Sequence, residues 1–185
     1  MESVFPVGSG GFTNPQKLLS QLDIKEGATV ADFGCGHGYF VLPFSKIVGP
    51  EGKVYALDVL KEALESVQSK AETEKASNVE MIRVDLEIEG GSKLDNDFCD
   101  VVLLANILFQ SQKKEEILKE AKRVTKPGGL VAVVDWLPDK PGIGPSGGWR
   151  ISAQALKDML SAQGLGFVRH LEVDQYHFGM VFKKS

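Results

Sequence analysis

Short apolar runs alternate with longer amphipathic segments along this chain. Five runs rich in Val, Leu and Ile have the length of strands, and they cover residues 29–33, 53–57, 79–84, 100–104 and 130–134. Runs of this length and composition are typical of strands in a parallel sheet that is covered on both faces. The pattern therefore predicts a mostly parallel sheet whose strands are connected by helices.

The segments between these runs have the period of a helix. Apolar side chains line one face of a helix at Ala63, Leu64, Val67 and Ala71, and one face of a later helix at Ile117, Leu118, Ala121 and Val124. We expect the later helix to stop at residues 126–129, a Lys-Pro-Gly-Gly cluster that breaks helices. The last helix has its apolar face at Leu156, Met159 and Leu160.

Two helix starts are visible in the sequence. Asn14 precedes Pro15, and this pair suits a helix cap followed by the first helical position. Ser152 is in the position to cap the last helix, since a hydroxyl oxygen can accept from the backbone N–H groups of the first turn.

The carboxyl-terminal part of the chain predicts two more strands, at 167–173 and 176–182. Only Asp174 and Gln175 separate them, and a link of two residues permits an antiparallel hairpin but no parallel crossover. The sheet is therefore predicted to end in a reversed strand. No linker, repeat or low-complexity tract divides the sequence, so we expect a single α/β domain over residues 1–185, with helices on both faces of the sheet.

Composition narrows the class of protein. Of the 185 residues, 43% are hydrophobic and 25% charged, and the formal net charge is -4. These values suit a globular protein and give no basic surface for nucleic acid. Two cysteines, Cys35 and Cys99, are too few for a disulfide framework, and no signal peptide or membrane span is visible. We therefore expect a cytoplasmic protein with reduced thiols, no bound metal, and neither nucleic acid nor membrane as partner.

A glycine-rich turn follows the first predicted strand. In VADFGCGHG the three glycines are Gly34, Gly36 and Gly38, and Asp58 stands twenty residues after the last of them, at the end of the second strand. Ligands of open α/β sheets bind outside the carboxyl ends of the strands. A carboxylate at this place can accept hydrogen bonds from both hydroxyls of a ribose, and Asp85, just past the third strand, can reach an adenine edge.

With these motifs the chain resembles the class I S-adenosylmethionine-dependent methyltransferases over nearly its whole length. VADFGCGHG is similar to their first motif, VYALDV to the acidic second-strand motif, MIRVDLE to the third and DVVLLANIL to the fourth. LKEAKRVTKPGGLVAVVDW is similar to the region around the fifth strand. The resemblance is closest to the branch with the ubiquinone/menaquinone-biosynthesis and arsenite methyltransferases. It implies a Rossmann-like seven-stranded sheet in the order 3-2-1-4-5-7-6, with strand seven reversed.

The resemblance also implies a cofactor, S-adenosylmethionine, and residues that bind it. The three glycines of the turn would border the methionine part and Asp58 would bind the ribose. Asp85 with Leu86 would border the adenine, while Asn106 and Ile107 would face the sulfonium. The full set of predicted cofactor residues is Asp32, Phe33, Gly34, Cys35, Gly36, Gly38, Asp58, Val59, Asp85, Leu86, Asn106 and Ile107.

Other functions share parts of this pattern. A nicotinamide-dependent oxidoreductase also has a glycine turn and an acidic second-strand end, but its GxGxxG fingerprint would place glycine where this chain has Tyr39. A methyltransferase acting on a protein, and a nucleotide-binding module without activity, stay open. Methylation of amino groups in bases usually goes with an Asn/Asp-Pro-Pro motif after the fourth strand, where this chain has ANIL. We therefore expect a small-molecule acceptor.

Methyl transfer needs a general base only when the acceptor is a poor nucleophile. Asp135 and His177, at strand ends on the cofactor side, are the predicted catalytic candidates. Two added segments are expected to select the substrate: an amino-terminal cap over residues 1–14 and a Pro- and Gly-rich lid over residues 136–151. The residues predicted to contact the acceptor are Phe12, Trp136, Trp149, Arg150 and Tyr176. The sequence does not indicate an oligomeric state.

Overall fold

Seven strands form one sheet in the order β3-β2-β1-β4-β5-β7-β6 in the computed structural model, which describes residues 14–138, 144 and 149–185. The strands are β1 (Thr29–Phe33), β2 (Lys53–Asp58), β3 (Val79–Arg83), β4 (Cys99–Ala105), β5 (Thr125–Trp136), β6 (Leu165–His170) and β7 (His177–Lys184). The first five are parallel to one another, and β7 is antiparallel to both β5 and β6. The predicted strand order and the reversed strand are confirmed.

Helices cover both faces of the sheet, as predicted. They are α1 (Pro15–Leu19), α2 (Val41–Val48), α3 (Lys61–Thr73), α4 (Lys114–Val124) and α5 (Ala153–Ala162). The first three pack on one face, where Phe44 and Val67 are buried, and the last two pack on the other, where Ile117 and Leu156 are buried. No helix among the described residues has both the length and the apolar character to cross a bilayer.

The predicted helix signals act as expected. The Asn14 side chain accepts from the backbone N–H groups of Gln16 and Lys17 at 2.9 and 3.3 Å, and Ser152 accepts from Ala155 N–H at 3.1 Å. The predicted apolar faces of α3 and α4 are buried, as are Leu156 and Leu160 on α5. Met159 is only half-buried and lines a cavity instead.

The link between β6 and β7 is longer than predicted. Strand β6 ends at His170, so six residues, 171–176, separate the two strands instead of two. The Gln21 side chain accepts from Glu172 N–H at 2.8 Å and donates to Glu172 O at 3.1 Å. These bonds satisfy the backbone groups of Glu172 in place of pairing in the sheet. Strands β6 and β7 are antiparallel, as predicted.

The Lys-Pro-Gly-Gly cluster lies inside a strand. Helix α4 ends at Val124 and β5 begins at the next residue. Thr125 pairs with Cys99, and the register then shifts so that Leu130 pairs with Val101. Residues 126–129 form this irregular part of β5. Gly128 within it has a φ of +79°, which a glycine adopts without strain.

The crossover from β3 to β4, residues 84–98, contains no helix, although helical segments were expected between the strands. A Cβ on Gly91 would lie 1.9 Å from Asp85 O, so the chain turns back on itself at a place where only glycine fits. Lys93 and Asp97 also adopt positive φ values. Repeated left-handed residues are incompatible with a helix.

A buried ion pair holds this crossover in place. The Glu120 carboxylate on α4 accepts from Gly90 N–H, Ser92 N–H and the Ser92 hydroxyl at 2.5–3.0 Å, and from the Arg123 guanidinium at 2.7 and 2.8 Å. Burial opposes ionisation of Glu120, but the bonds from Arg123 and Ser92 outweigh it and lower its pKa to about 2. The ion pair thus fixes the segment that follows Asp85 and Leu86.

Replacing Glu120→Gln should therefore destabilise the fold. The change leaves Arg123 without its charged partner, and we expect the free energy of unfolding to fall by about 3 kcal/mol near neutral pH. Because the folded-state pKa lies below the ordinary 4.5, this stabilisation is complete above that value. The difference between wild type and variant should shrink as the pH falls towards 2.

Urea unfolding across this pH range measures the effect. Glu116→Gln is the matched control, since Glu116 pairs with Lys119 on the exposed side of the same helix and should cost less than about 1 kcal/mol. Equal destabilisation by the two substitutions at neutral pH would contradict the role given to Glu120.

Candidate active site

The glycine turn after β1 is packed so closely that side chains are excluded at two of its positions. A Cβ on Gly34 would lie 2.7 Å from Ile107 Cδ1, and one on Gly38 would lie 2.9 Å from Val67 Cγ2. Gly36 differs from them. Its φ is +51°, yet no heavy atom of the described residues lies within 4 Å of a Cβ built there. The backbone at Gly36 therefore faces open space at the carboxyl edge of the sheet.

The end of β2 holds this turn in shape. Leu57 O accepts from Gly34 N–H and Cys35 N–H at 2.8 and 3.0 Å. The Asp58 carboxylate accepts from Gly36 N–H at 2.8 Å and from Leu60 N–H at 2.9 Å. Asp58, predicted as a ligand-binding acid, thus also positions the turn. The Lys70 ammonium on α3 donates to His37 O at 2.6 Å, a contact that the sequence analysis missed.

A buried carboxylate lies beneath the turn. Asp32 is 1% exposed, and its Oδ2 has no hydrogen-bond partner within the described ranges. Burial and the neighbouring charge of Asp58 raise the pKa of Asp32 to about 7. Its neighbour Phe33 belongs to the core. Burial also raises the pKa of the Cys35 thiol far above its ordinary value, so this cysteine is not a reactive nucleophile.

Asn106 occupies a strained position at the end of β4. Its φ is +56°, and its N–H donates to Val134 O at 2.9 Å. Its Nδ2 lies 3.5 Å from His177 Nε2. Its Oδ1 is buried and has no partner among the residues that the structure describes. Asp32 and Asn106 thus contribute two unpaired acceptor oxygens, which suit a ligand that carries cationic or N–H groups.

His177 is held by an acid that the sequence analysis did not single out. Asp174 lies within 2.8 and 2.9 Å of His177 Nδ1. A carboxylate can only accept, so Nδ1 carries the proton and Nε2 is the acceptor that faces Asn106. Burial lowers the pKa of His177, and Asp174 partly opposes this. The pair fixes the direction of the Asn106 amide.

The side chains of the two predicted bases, Asp135 and His177, are buried. The His177 side chain is 0% exposed, and its ring centroid lies 4.0 Å from that of Trp136. Asp135 is fully buried and accepts from Trp136 N–H and Phe109 N–H at 2.7 and 3.1 Å. Burial raises the pKa of Asp135 to about 6, although these N–H groups lower it in part. An acceptor would reach either group only if its cover moved, so their catalytic role stays a prediction.

The predicted adenine side is more open. Val59 is 56% exposed. Asp85 is also exposed, and its carboxylate accepts from Glu87 N–H at 2.9 Å. Leu86 is buried beside them.

Four of the residues predicted to contact the acceptor are described by the structure, and the fifth, Phe12, is not. Trp136 is the buried last residue of β5, and the Arg150 guanidinium lies over its ring at 5.4 Å. Tyr176 is half-buried, and Trp149 is 49% exposed. Phe12, the amino-terminal cap up to residue 13 and residues 139–143 and 145–148 of the predicted lid lie outside the described residues.

Comparison with known proteins identifies the family. A model of the methyltransferase domain matches residues 24–162. The chain belongs to the class I S-adenosylmethionine-dependent methyltransferases. A S-adenosylmethionine-dependent methyltransferase from Aquifex aeolicus has 30% identity and a TM-score of 0.83, over 93% of this chain and 90% of that one. The [4+2]-cyclase SpnF, 21% identical with a TM-score of 0.72 over 84% of this chain and 58% of its own, shares the fold alone.

Two curated relatives lie in the menaquinone branch. Demethylmenaquinone methyltransferase of Lactococcus lactis is 32% identical over 64% of this chain and 46% of its own length. The enzyme of that name from Geobacillus stearothermophilus is 29% identical over 64% of this chain and 49% of its own. The chain thus spans about half the length of these curated relatives. The family and branch predicted from the sequence are confirmed.

The residues around the glycine turn fit the family's cofactor. S-adenosylmethionine carries a sulfonium and an ammonium group. The two buried oxygens that have no partner within residues 14–138, 144 and 149–185, Asp32 Oδ2 and Asn106 Oδ1, are acceptors. The open space at Gly36 adjoins Asp58, whose carboxylate lies at the end of β2. The family assignment makes S-adenosylmethionine the cofactor of this protein.

Asp32 should lower stability at neutral pH, because its buried Oδ2 has no hydrogen-bond partner in the described part of the chain. Between its ordinary pKa of 3.8 and about 7, the folded chain keeps a proton that the unfolded chain has lost. Stability therefore falls as the pH rises through this window. Asp32→Asn, which resembles the protonated acid, should raise the free energy of unfolding at pH 8 by up to about 4 kcal/mol and have little effect at pH 4.

Chemical unfolding of both proteins without cofactor, at several pH values, measures this difference. Asp135 is present in both proteins, so its own titration cancels. Asp158→Asn, at an exposed site on α5, is the control and should change neither the stability nor its pH dependence. A constant difference between wild type and Asp32→Asn from pH 4 to pH 8 would contradict the account.

Proposed function

We propose that this chain transfers the methyl group of S-adenosylmethionine to a small molecule that binds at the carboxyl ends of β4 and β5. The observation that carries the proposal is the glycine turn held by Leu57 and Asp58, together with two buried acceptors that have no partner among the residues described. Support for a small acceptor comes from the demethylmenaquinone methyltransferases among the relatives. The net charge of -4 also disfavours nucleic acid.

The proposal assigns each part of the cofactor to its own residues. The Asp58 carboxylate accepts one hydrogen bond each from Gly36 N–H and Leu60 N–H. Its oxygens have further lone pairs, which would accept from the ribose hydroxyls. Val59, Asp85 and Leu86 would border the adenine. Asp32 and Asn106 would accept from the cationic methionine end, which supplies the partner that their buried oxygens need.

When bound, the cofactor supplies a methyl group on a positively charged sulfur, which leaves in line with the incoming nucleophile. The chain's own contribution is then largely positional. Ile107 packs against Gly34, and Asn106 is fixed by Val134 and His177, so the end of β4 is rigid where the acceptor must approach. Holding the reacting atoms in line can supply a large part of the acceleration.

Asp58→Ala tests the cofactor site. The substitution removes a charged acceptor for the ribose and releases Gly36 N–H. We expect the dissociation constant of S-adenosylhomocysteine, measured by calorimetry, to rise by about tenfold or more. Glu51→Ala is the matched control, because Glu51 is an exposed acid in the turn that precedes the same strand. It should leave the affinity unchanged.

Ligand-dependent melting separates the proposal from the oxidoreductase alternative. S-adenosylmethionine and S-adenosylhomocysteine should raise the Tm of the wild type, as any ligand of the native state does, and NAD should not. Unchanged affinity in a folded Asp58→Ala variant, or stabilisation by NAD alone, would overturn the proposed site.

A further inference from the structure

A cavity of about 380 Å³ lies between the start of α4 and the start of α5. We call it the α4–α5 cavity. It is lined by Gln112, Lys114, Trp149, Arg150, Ile151, Ser152, Ala155 and Met159. Its volume lies at the lower end of the range for small-molecule sites. The cavity is open to solvent and has room for a compound with one ring.

The charged residues that line the α4–α5 cavity are both cations. Lys114 and Arg150 contribute two cations, and none of the described residues that line the cavity carries a carboxylate. Lys114 forms no ion pair with a carboxylate of the described part of the chain, whereas the adjacent Lys113 pairs with Glu87 at 3.7 Å. Burial lowers the pKa of Lys114, and Asp135 partly opposes this. A partly desolvated ammonium at a cavity wall favours an anionic ligand.

The rest of the lining is aromatic and apolar. Trp149 is 49% exposed although it is the largest side chain of the cavity, and Ile151, Ala155 and Met159 lie beside it. A Trp ring and a Met thioether offer favourable contacts to an aromatic ring. The lining thus combines a surface for a ring with two cations for an acidic group.

The cavity adjoins the proposed site of methyl transfer. Arg150 donates to Leu137 O at 2.9 Å, immediately after β5, and lies over Trp136. Trp136 contacts His177, whose Nε2 faces Asn106. Lys114 donates to Ser111 O in the segment that follows β4. The cavity therefore borders the carboxyl ends of β4 and β5, on the same edge of the sheet as the glycine turn.

We propose that the α4–α5 cavity binds the methyl acceptor, and that this acceptor is an aromatic carboxylic acid with a single ring. Lys114 and Arg150 hold its carboxylate, and Trp149 and Met159 contact its ring. As an acceptor site the cavity rests on the proposed function. Transfer forms a bond from a ring hydroxyl oxygen of the acid to the methyl carbon, breaks the bond between that carbon and sulfur, and releases the hydroxyl proton to water.

Binding of 4-hydroxybenzoate tests the proposal, with the uncharged 4-hydroxybenzamide as the matched probe. Both are titrated into wild type saturated with S-adenosylhomocysteine, and calorimetry and tryptophan fluorescence report binding. We expect 4-hydroxybenzoate to bind more tightly by about tenfold or more, since only it carries the charge. Equal affinity for the acid and the amide, or no binding of the acid, would overturn the inference.

Variants locate the site. Lys114→Met should weaken 4-hydroxybenzoate by about tenfold or more and leave the amide unchanged, while Trp149→Leu should weaken both probes. Lys113→Met is the control and should change neither. Arg150→Leu is a further variant, which also removes the contacts to Leu137 and Trp136. If Arg150→Leu does not fold, Lys114→Met still tests the site. Unchanged binding of the acid in Lys114→Met would refute the site.

The same titrations separate this inference from the proposed function. Binding of S-adenosylhomocysteine without binding of the aromatic acid would refute only the α4–α5 cavity as acceptor site. If neither adenosyl compound binds, a titration of the acid alone that still shows binding would refute the methyltransferase function, and with it the acceptor role.

Discussion

The hydrogen bonds between the end of β2 and the turn after β1 are the constraint on which the site depends. Leu57 and Asp58 together accept from three successive N–H groups, those of Gly34, Cys35 and Gly36. This holds the backbone in conformations that glycine adopts and exposes Gly36 to open space. Ile107 and Val67 close the turn from the sides of β4 and α3. A single tight turn thus links the strands that would hold the cofactor and the acceptor.

This arrangement leaves polar groups that the fold does not satisfy by itself. Asp32 Oδ2 and Asn106 Oδ1 are buried acceptors without a partner among the described residues, and burial with the charge of Asp58 raises the pKa of Asp32 to about 7. Glu120 shows the opposite case, since five donor groups hold its pKa near 2. The fold therefore supplies hydrogen-bond donors to the buried Glu120, which supports the crossover. It leaves Asp32 Oδ2, at the carboxyl edge of β1, without a partner in the part of the chain that the structure describes. Local rules are broken most often where a ligand completes the structure.

Much of the fold could be predicted from the sequence. The apolar faces of α3 and α4, the caps at Asn14 and Ser152, and the glycine turn with Asp58 rest on local patterns, and the structure keeps them. The crossover 84–98 and the link 171–176 could not be predicted so well. Their course is set by Gly91 against Asp85 and by Gln21 against Glu172, contacts between residues that periodicity does not relate.

The directions of side chains at the strand ends also could not be predicted from the sequence. Strand ends predicted Asp135 and His177 correctly at the carboxyl edge, but only the structure gives their burial and the bond from His177 to Asp174. The sequence did not indicate a role for Lys114, which lines the α4–α5 cavity because α4 and α5 pack on the same face of the sheet.

A crystal structure of the chain with S-adenosylhomocysteine tests the central claim most directly. The account predicts a ligand that lies over Gly36, with both ribose hydroxyls within hydrogen-bond distance of Asp58 and its amino group beside Asp32 or Asn106. A ligand bound elsewhere, or one that makes no contact with Asp58, would contradict it.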